Sequence, residues 1–406
     1  MDERPSLLSD VGFRRYWAGQ TISALGDAFA FVAYPLLVLD ATGSVAAMGG
    51  VSAAVAVSQL VTGVLAGPIV DRSDRRRLMI ACDLGRLVVF GAVPIYWWLR
   101  GPSLAVIYVT LIIGSALGNI FSVGYVTATP DLVDRDRLTE ANGRLQGTQA
   151  LAFVIGPVLA GMVAAKVGSV WAIAIDAMTF AASALSLSTI RLRREGRLVT
   201  PGGSALDGLR FLAKEPQLRI VTVIFVMLAV VSSGTMAAGV LDVLVYHLRN
   251  VQGADDRAVG LSLGLGAVGA VIGALSAAPL RRRFGFGACF VGATAAQGAA
   301  LASMGTTSGV LLLAFSITVW TSGMSMRSVV TQTLRQELTP EPLLGRVTAA
   351  FWTMAAVLAP LGAALVTGAA ARWSTTVAFR GTGVGVLAIS ALAALLLRSP
   401  QHRRHL

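Results

Sequence analysis

The sequence predicts an all-α membrane protein of twelve transmembrane helices arranged as two six-helix bundles. Three observations carry this. The first is composition: of 406 residues, 55% are hydrophobic and only 13% charged, with a mean hydropathy of +0.72. A soluble domain carries about 25% charged residues, so this chain needs a bilayer as its solvent. The second is a series of apolar runs. A span needs ~20 apolar residues, and runs rich in Ala, Leu, Val and Gly occupy 14–39, 45–66, 78–99, 104–128, 139–165, 169–190, 218–245, 259–279, 286–305, 308–329, 344–371 and 375–397. The third is the placement of arginine, which collects in alternate loops.

Those loops set the orientation, because short segments rich in Lys and Arg stay on the cytoplasmic side. One set holds Arg72, Arg75, Arg76 and Arg77, then Arg135, Arg137 and Arg144, the whole of 191–219, Arg281, Arg282 and Arg283, and Arg335 and Arg346. Both termini belong with it, through Arg14 and Arg15 at one end and Arg398, Arg403 and Arg404 at the other. The opposite set holds only Arg100, Lys166, Arg249, Arg257 and Arg372. Both ends are therefore expected in the cytoplasm, in a multi-pass protein of the inner membrane. That requires an even number of spans, as twelve is.

The formal net charge of +12 does not read as a nucleic-acid surface. The arginines sit in short clusters between apolar runs, where they act as topology signals and meet anionic lipid headgroups. Cys82 and Cys289 each fall in an apolar run and read as packing residues. His247, His402 and His405 with these cysteines make neither a zinc set nor a nucleophile pair. The polar opening Met1 to Asp10 is followed by no cleavable leader pattern. A phosphate-binding G-x-x-x-x-G-K-[ST] loop is absent, so ATP is not expected to drive the chain directly. Neither an enzyme nor a cofactor or metal site is expected.

Taken in order, the chain reads as an N-terminal bundle over 1–190, a linker over 191–217 and a C-terminal bundle over 218–406. The linker ends in Leu206-Asp207-Gly208-Leu209-Arg210-Phe211-Leu212, whose apolar stripe predicts a short helix on the membrane surface. Three echoes about two hundred residues apart suggest that the bundles are parallel repeats. Pro68 and the arginines after it return as Pro279-Leu280-Arg281-Arg282-Arg283. The stretch Asp131-Leu132-Val133-Asp134 returns as Glu337-Leu338-Thr339-Pro340. Gly156-Pro157 returns as Ala359-Pro360-Leu361-Gly362.

The charged clasp between the second and third spans, Gly67-Pro68-Ile69-Val70-Asp71-Arg72-Ser73-Asp74-Arg75-Arg76, has the spacing G-x-x-x-D-R-x-x-R-R. It resembles the corresponding loop of major facilitator superfamily transporters. The opening Phe13-Arg14-Arg15-Tyr16-Trp17, then Gln20-Thr21-Ile22-Ser23-Ala24-Leu25-Gly26-Asp27 and Ala33-Tyr34-Pro35-Leu36, is similar to the macrolide-efflux and siderophore-export branch. So are Pro130-Asp131-Leu132-Val133 with Asn142, and Ile175-Asp176-Ala177. The resemblance implies two bundles rocking about a central cavity and transport driven by an ion gradient, usually of protons. The clasp departs from the pattern in carrying Asp74 where Gly is frequent. The fourth span lacks the arginine that many proton-coupled relatives carry.

Within this frame the candidate residues fall into three groups. The gate group is Gly67, Asp71, Arg72, Arg75, Arg76, Asp83, Arg86, Asp131 and Glu337. Gly67 lets the chain turn, and Asp71 is suited to face a helix N-terminus or pair with an arginine. Asp131 and Glu337 are candidate partners of the clasp arginines. Asp83 and Arg86, three residues apart on one helix, are expected to pair. The proton or substrate group is led by Asp27, midway along the first span, where an ionised carboxylate costs ~2.5–3.5 kcal/mol. It reads as a proton carrier or a contact for a cationic substrate, or else as a hydrogen bond between helices. Asp176 is the second such acid, with a structural role equally open. Gln20, Tyr34, Asn119 and Gln149 lie on spans that line the path in the fold the resemblance implies. The third group, Gly156, Pro157 and Gly161, resembles the superfamily's exporter-associated motif, though an ordinary kinked helix would carry the same residues.

The expected function is export of small amphipathic compounds such as drugs and antibiotics in exchange for protons. The alternative is a dedicated exporter of a siderophore or other natural product. A transport-dead receptor on the same fold would need no buried acid, charged gate and kinked fifth span together. The expected partners are a small-molecule substrate, protons and membrane lipids, without nucleic acid, and the expected state is a monomer.

Overall fold

The computed structural model describes residues 6–42, 55, 58–59, 61–63, 65–192, 204, 206–232, 238–254, 256–307 and 309–397. Among them there is no strand. Helices follow one another as α1 (Val11–Thr42), α2 (Val61–Asp71), α3 (Arg75–Arg100), α4 (Leu104–Leu132), α5 (Leu138–Val167), α6 (Ser169–Ser188) and α7 (Leu206–Lys214). They continue as α8 (Pro216–Val231), α9 (Ala238–Asn250), α10 (Asp256–Met304), α11 (Val310–Leu338), α12 (Leu344–Arg372) and α13 (Thr375–Leu397). Helices dominate because hydrocarbon offers backbone N–H and C=O groups no other partner. Among the described residues seven helices are long and apolar enough to cross a membrane.

Three boundaries differ from the sequence reading. The clasp is shorter than expected, because α2 stays helical through Asp71 and α3 begins at Arg75. Asp74 is the N-cap of α3: its side chain accepts a hydrogen bond from the Arg77 N–H at 2.8 Å, which accounts for an acid where glycine is frequent. The predicted spans 259–279 and 286–305 are the two limbs of α10, and the helix does not stop at Pro279. It runs on through Arg281, Arg282 and Arg283 and breaks at Gly285, whose φ of +79° suits a residue without a Cβ. The arginine cluster is thus the last turn of a helix, where cations meet the negative end of the dipole. The predicted span 218–245 corresponds to α8 and α9, with 233–237 outside the described residues.

By packing, the chain divides into two compact units. The first comprises Met1–Ala141, Leu151–Gly208 and Thr339–Ala350; the second comprises Asn142–Ala150, Leu209–Leu338 and Phe351–Leu406. In the first, α1 and α3 pack against α6, and α3 also against α4. Tyr34, Phe90 and Phe180 form an aromatic layer with neighbouring ring centroids 5.6 and 5.8 Å apart. In the second, α10 packs against α11 and α13. A Cβ on Gly269 or Gly273 of α10 would collide with the carbonyl oxygens of Thr318 and Ser322 on α11, whereas one on Gly260 or Gly264 would meet nothing within 4 Å. Of these two glycine pairs, each at helical spacing, only Gly269 and Gly273 pack closely. Large apolar side chains such as Val88, Trp98, Leu311 and Phe315 stand exposed, as acyl chains allow.

Gly273→Ala should therefore lower stability by about 1–3 kcal/mol through overpacking, read as a lower unfolding temperature of the purified protein. Gly264→Ala should leave that temperature unchanged.

Candidate functional site

The clasp is built around Asp71, which is fully buried in the first unit. Its Oδ1 accepts from the Gly345 N–H at 2.8 Å and its Oδ2 from the Arg346 N–H at 3.1 Å. Both donors belong to the first turn of α12, where unpaired N–H groups and the helix dipole favour an anion. The Arg346 Nε lies 3.4 Å from Oδ2, and Arg346 Nη1 lies 3.5 Å from Asp207 of α7. Burial pushes the Asp71 carboxyl up to about 6, against the pull of the two backbone N–H groups and of Arg346 and Arg75. At neutral pH the anion is still the main form. Gly67 has a specific reason to be glycine: a Cβ there would sit 2.7 Å from Arg346 Cα and 3.0 Å from the Gly345 oxygen.

The clasp arginines divide their work. Arg75 pairs with Asp131 at 2.6 Å and reaches the Thr127 and Glu341 carbonyls, each at 3.3 Å. Arg76 donates to the carbonyls of Leu187, at 2.8 Å, and Ser188, so it closes the C-terminal end of α6. Arg72 is exposed. Glu337 is not a partner of the clasp. It pairs with Arg281 at 2.5 Å in the second unit. Arg75–Asp131 and Arg281–Glu337 have the same 56-residue separation, so one ion pair is made twice by the repeat.

The expected Asp83–Arg86 pair is also replaced. Arg86 reaches across from α3 to Asp27 on α1 and forms an ion pair with it, while its guanidinium lies 3.7 Å from the centre of the Phe180 ring. Stacking on Phe180 turns the arginine away from its own helix. Asp83 and Asp176 are fully buried; Asp83 has the Ser183 hydroxyl beside it, and neither carboxyl oxygen of Asp176 has a hydrogen-bond partner among the described residues. Each feels the charge of both Asp27 and Arg86. Gly26 lets α1 approach, since a Cβ there would lie 2.6 Å from Asp176 Oδ1. Three carboxyls thus share one guanidinium. Asp27 alone among them is open, with 41% of its side chain exposed against 9% for Arg86.

The remaining candidates scatter. Gln20 donates to Ser183 at 3.1 Å. Tyr34 is buried in the aromatic layer. Asn119 holds α4 to α2 through Thr62 at 2.8 Å. Gln149 is exposed. Helix α5 continues unbroken through 156–161. Gly156 fits against Ala28 of α1, Gly161 has open space beside it, and the Pro157 side chain is outside the described residues.

Two features of the second unit escaped the sequence reading. Asn142 is fully buried, donates to Gln336 at 2.6 Å and Thr333 at 3.0 Å, and accepts from Gln332 at 3.0 Å. Beside it, a Cβ on Gly143 would lie 2.5 Å from the Ala274 oxygen of α10. The other feature is Arg327 and Arg335 on α11, only 4% and 2% exposed. Each has Nε and Nη1 buried without an acceptor. Arg335 lies 3.7 Å from the Phe351 ring centre and 5.6 Å from that of Trp352; Arg327 lies 5.3 Å from that of Phe225. A desolvated cation–π contact returns ~2 kcal/mol, less than the several kcal/mol that desolvating an ion costs. The signal was an arginine inside the apolar run 308–329.

With this geometry in place, the sequence profile described as Major Facilitator Superfamily matches residues 16–363. The chain belongs to that superfamily. It is an all-α, integral multi-pass membrane protein of a transporter family, and the superfamily's twelve-helix fold fits its described helices. The multidrug efflux pump Tap of Mycobacterium tuberculosis (strain ATCC 25618 / H37Rv) is 29% identical over 203 residues, covering 47% of this chain and 48% of the pump. The chain thus spans about half the length of the efflux pumps it matches. The enterobactin exporter EntS of Escherichia coli O9:H4 (strain HS) is 27% identical over 411 residues, covering 98% of this chain and 94% of the exporter. Among solved structures, the human organic anion transporter MFSD10 (TETRAN) superposes with a TM-score of 0.78 at 15% identity, over 94% of this chain and 98% of its own. That likeness shows the fold alone.

Removing Arg86 leaves the two buried carboxyls of Asp83 and Asp176, and the half-open Asp27, with no cation. Arg86→Gln should therefore destabilise the protein by about 3 kcal/mol or more, and Asp27→Asn by less, because Asp27 is only partly buried and two acids stay beside the arginine. Chemical or thermal unfolding of the purified variants reads the order.

Proposed function

We propose that this protein exports small amphipathic compounds across the inner membrane by proton antiport with alternating access, both termini being cytoplasmic. The observation that carries the reading is the half-open Asp27 on Arg86, backed by the buried Asp83 and Asp176. Protonating Asp27 from the open side discharges its pair with Arg86. The freed guanidinium then has Asp83 and Asp176 as alternative partners, so one proton exchanges the partners of one fixed cation. The proton gradient is the energy source and no cofactor takes part. Substrate and proton are the exchanged partners, with lipids around a monomer.

In this cycle Asp71 on the first turn of α12 acts as the cytoplasmic latch, with Gly67 permitting the approach. Arg75 with Asp131 and Arg76 on α6 hold the clasp in shape, Arg72 completes its charged face, and Glu337 with Arg281 supports the equivalent turn. Gly156, Pro157 and Gly161 form the exporter-associated segment of α5. Gln20, Tyr34, Asn119 and Gln149 are the polar positions open to cycle-dependent contacts. The two relatives named above support export. Drug efflux is one substrate reading. Export of a dedicated natural product such as a siderophore is favoured by a specific observation: Arg86 already occupies Asp27, so that acid is not held ready for a cationic drug.

The test is accumulation of antibiotics and lipophilic dyes in cells lacking their own pumps, with and without an uncoupler. The parent should lower accumulation, and Asp27→Asn, Asp71→Asn and the uncoupler should each abolish the effect. Accumulation that responds to the uncoupler but not to Asp27→Asn would remove Asp27 from the mechanism. A well-expressed parent that changes nothing across the panel would rule out broad drug efflux.

A further inference from the structure

We infer that the second unit holds a binding site for aromatic organic anions, built from Arg327 with Arg335 on α11 and the ring cluster of Phe225, Phe351 and Trp352. The inference deepens the export reading and rests on it for the step from binding to transport. The first observation is the state of the guanidiniums. Both are more than nine-tenths buried, and each presents Nε and Nη1 with no acceptor. The other buried arginines described above each have a carboxylate within ion-pair distance: Arg75 has Asp131, Arg86 has Asp27, and Arg346 has Asp71. Glu337, on the same helix, is taken by Arg281.

The second observation is what surrounds them. The Phe225 and Phe351 ring centres are 4.3 Å apart, and Trp352 stands edge-on to both at 6.2 and 5.7 Å. Arg327 faces this cluster through Phe225 and Arg335 through Phe351 and Trp352. The Thr331 and Thr353 hydroxyls are also without partners. Unfilled guanidinium donors ask for a carboxylate, phenolate or sulfonate, and the rings give a flat apolar body a place to stack. A cation would meet two like charges there, and a neutral compound would leave the donors empty. Eight residues of helix separate the arginines by about 12 Å, so one small anion engages one guanidinium, with Arg327, inside the apolar run, as the anchor.

The experiment measures binding of salicylate and of its neutral counterpart salicylamide to the purified full-length protein in nanodiscs. The parent should bind salicylate saturably and roughly tenfold or more tighter than salicylamide, and Arg327→Gln should weaken salicylate by roughly tenfold or more. Because Arg327→Gln is at risk of not folding, the unfolding temperature of the parent is read as well: salicylate should raise it and salicylamide should not. Equal binding of the two probes overturns the inference, as does absence of saturable salicylate binding, salicylate binding to Arg327→Gln as tight as to the parent, or an unfolding temperature that salicylate leaves unchanged. Binding needs no gradient and no efflux, so its failure would leave the accumulation result standing, and a failed accumulation assay would leave the binding result standing.

Discussion

A charge placed among membrane-spanning helices must find its counter-charge within reach, because neither water nor lipid tails supply one. Most of what distinguishes this chain from a bundle of apolar helices follows from how that demand is met. Arg86 is neutralised by Asp27 and a phenyl face, Arg75 by Asp131, and Arg281 by Glu337. Asp71 has the N–H groups at the start of α12 as well as Arg346. In each case the partner lies on another helix, so the interaction that makes the charge tolerable also decides which helices stay together. A transporter has a use for such contacts, since they are strong while closed and can be exchanged rather than simply broken.

The two units solve the problem with opposite chemistry. The first gathers Asp27, Asp83 and Asp176 about one guanidinium. The second leaves two guanidiniums against aromatic rings with donors unfilled. The repeat underneath is real at the level of the ion pair on a 56-residue separation. It fails at Asp71, because the echo of the clasp carries arginines where the clasp carries this acid. Gly345 meets a carboxylate, whereas Gly143 meets a backbone carbonyl beside an amide cluster centred on Asn142. One contact responds to charge and the other does not, so the repeats are not interchangeable in function.

Much of this was legible in the amino-acid order. The clasp, the acid at position 27 and the linker helix could be located because each breaks a local pattern: charge within an apolar run, or an apolar stripe within a polar linker. Partnerships were less legible. Asp83 and Arg86 are neighbours by helical spacing, yet the arginine turns to Asp27, since Phe180 offers it a stacking face that sequence distance hides. Glu337 looked like a partner for the clasp because both are charged and both lie at loop ends.

What the sequence by itself determined is the solvent and the architecture: only helices satisfy the backbone in hydrocarbon, and runs of about twenty apolar residues can only be their spans. It also determined which positions are exceptional, because a charged residue in such a run cannot be accommodated without a reason. Only the tertiary structure decided what the reasons are. Asp71 became a helix cap, Asp27 an ion-paired acid, and Arg327 a cation with no carboxylate partner among the described residues, because pairing depends on distances of a few ångströms between helices that are far apart along the chain.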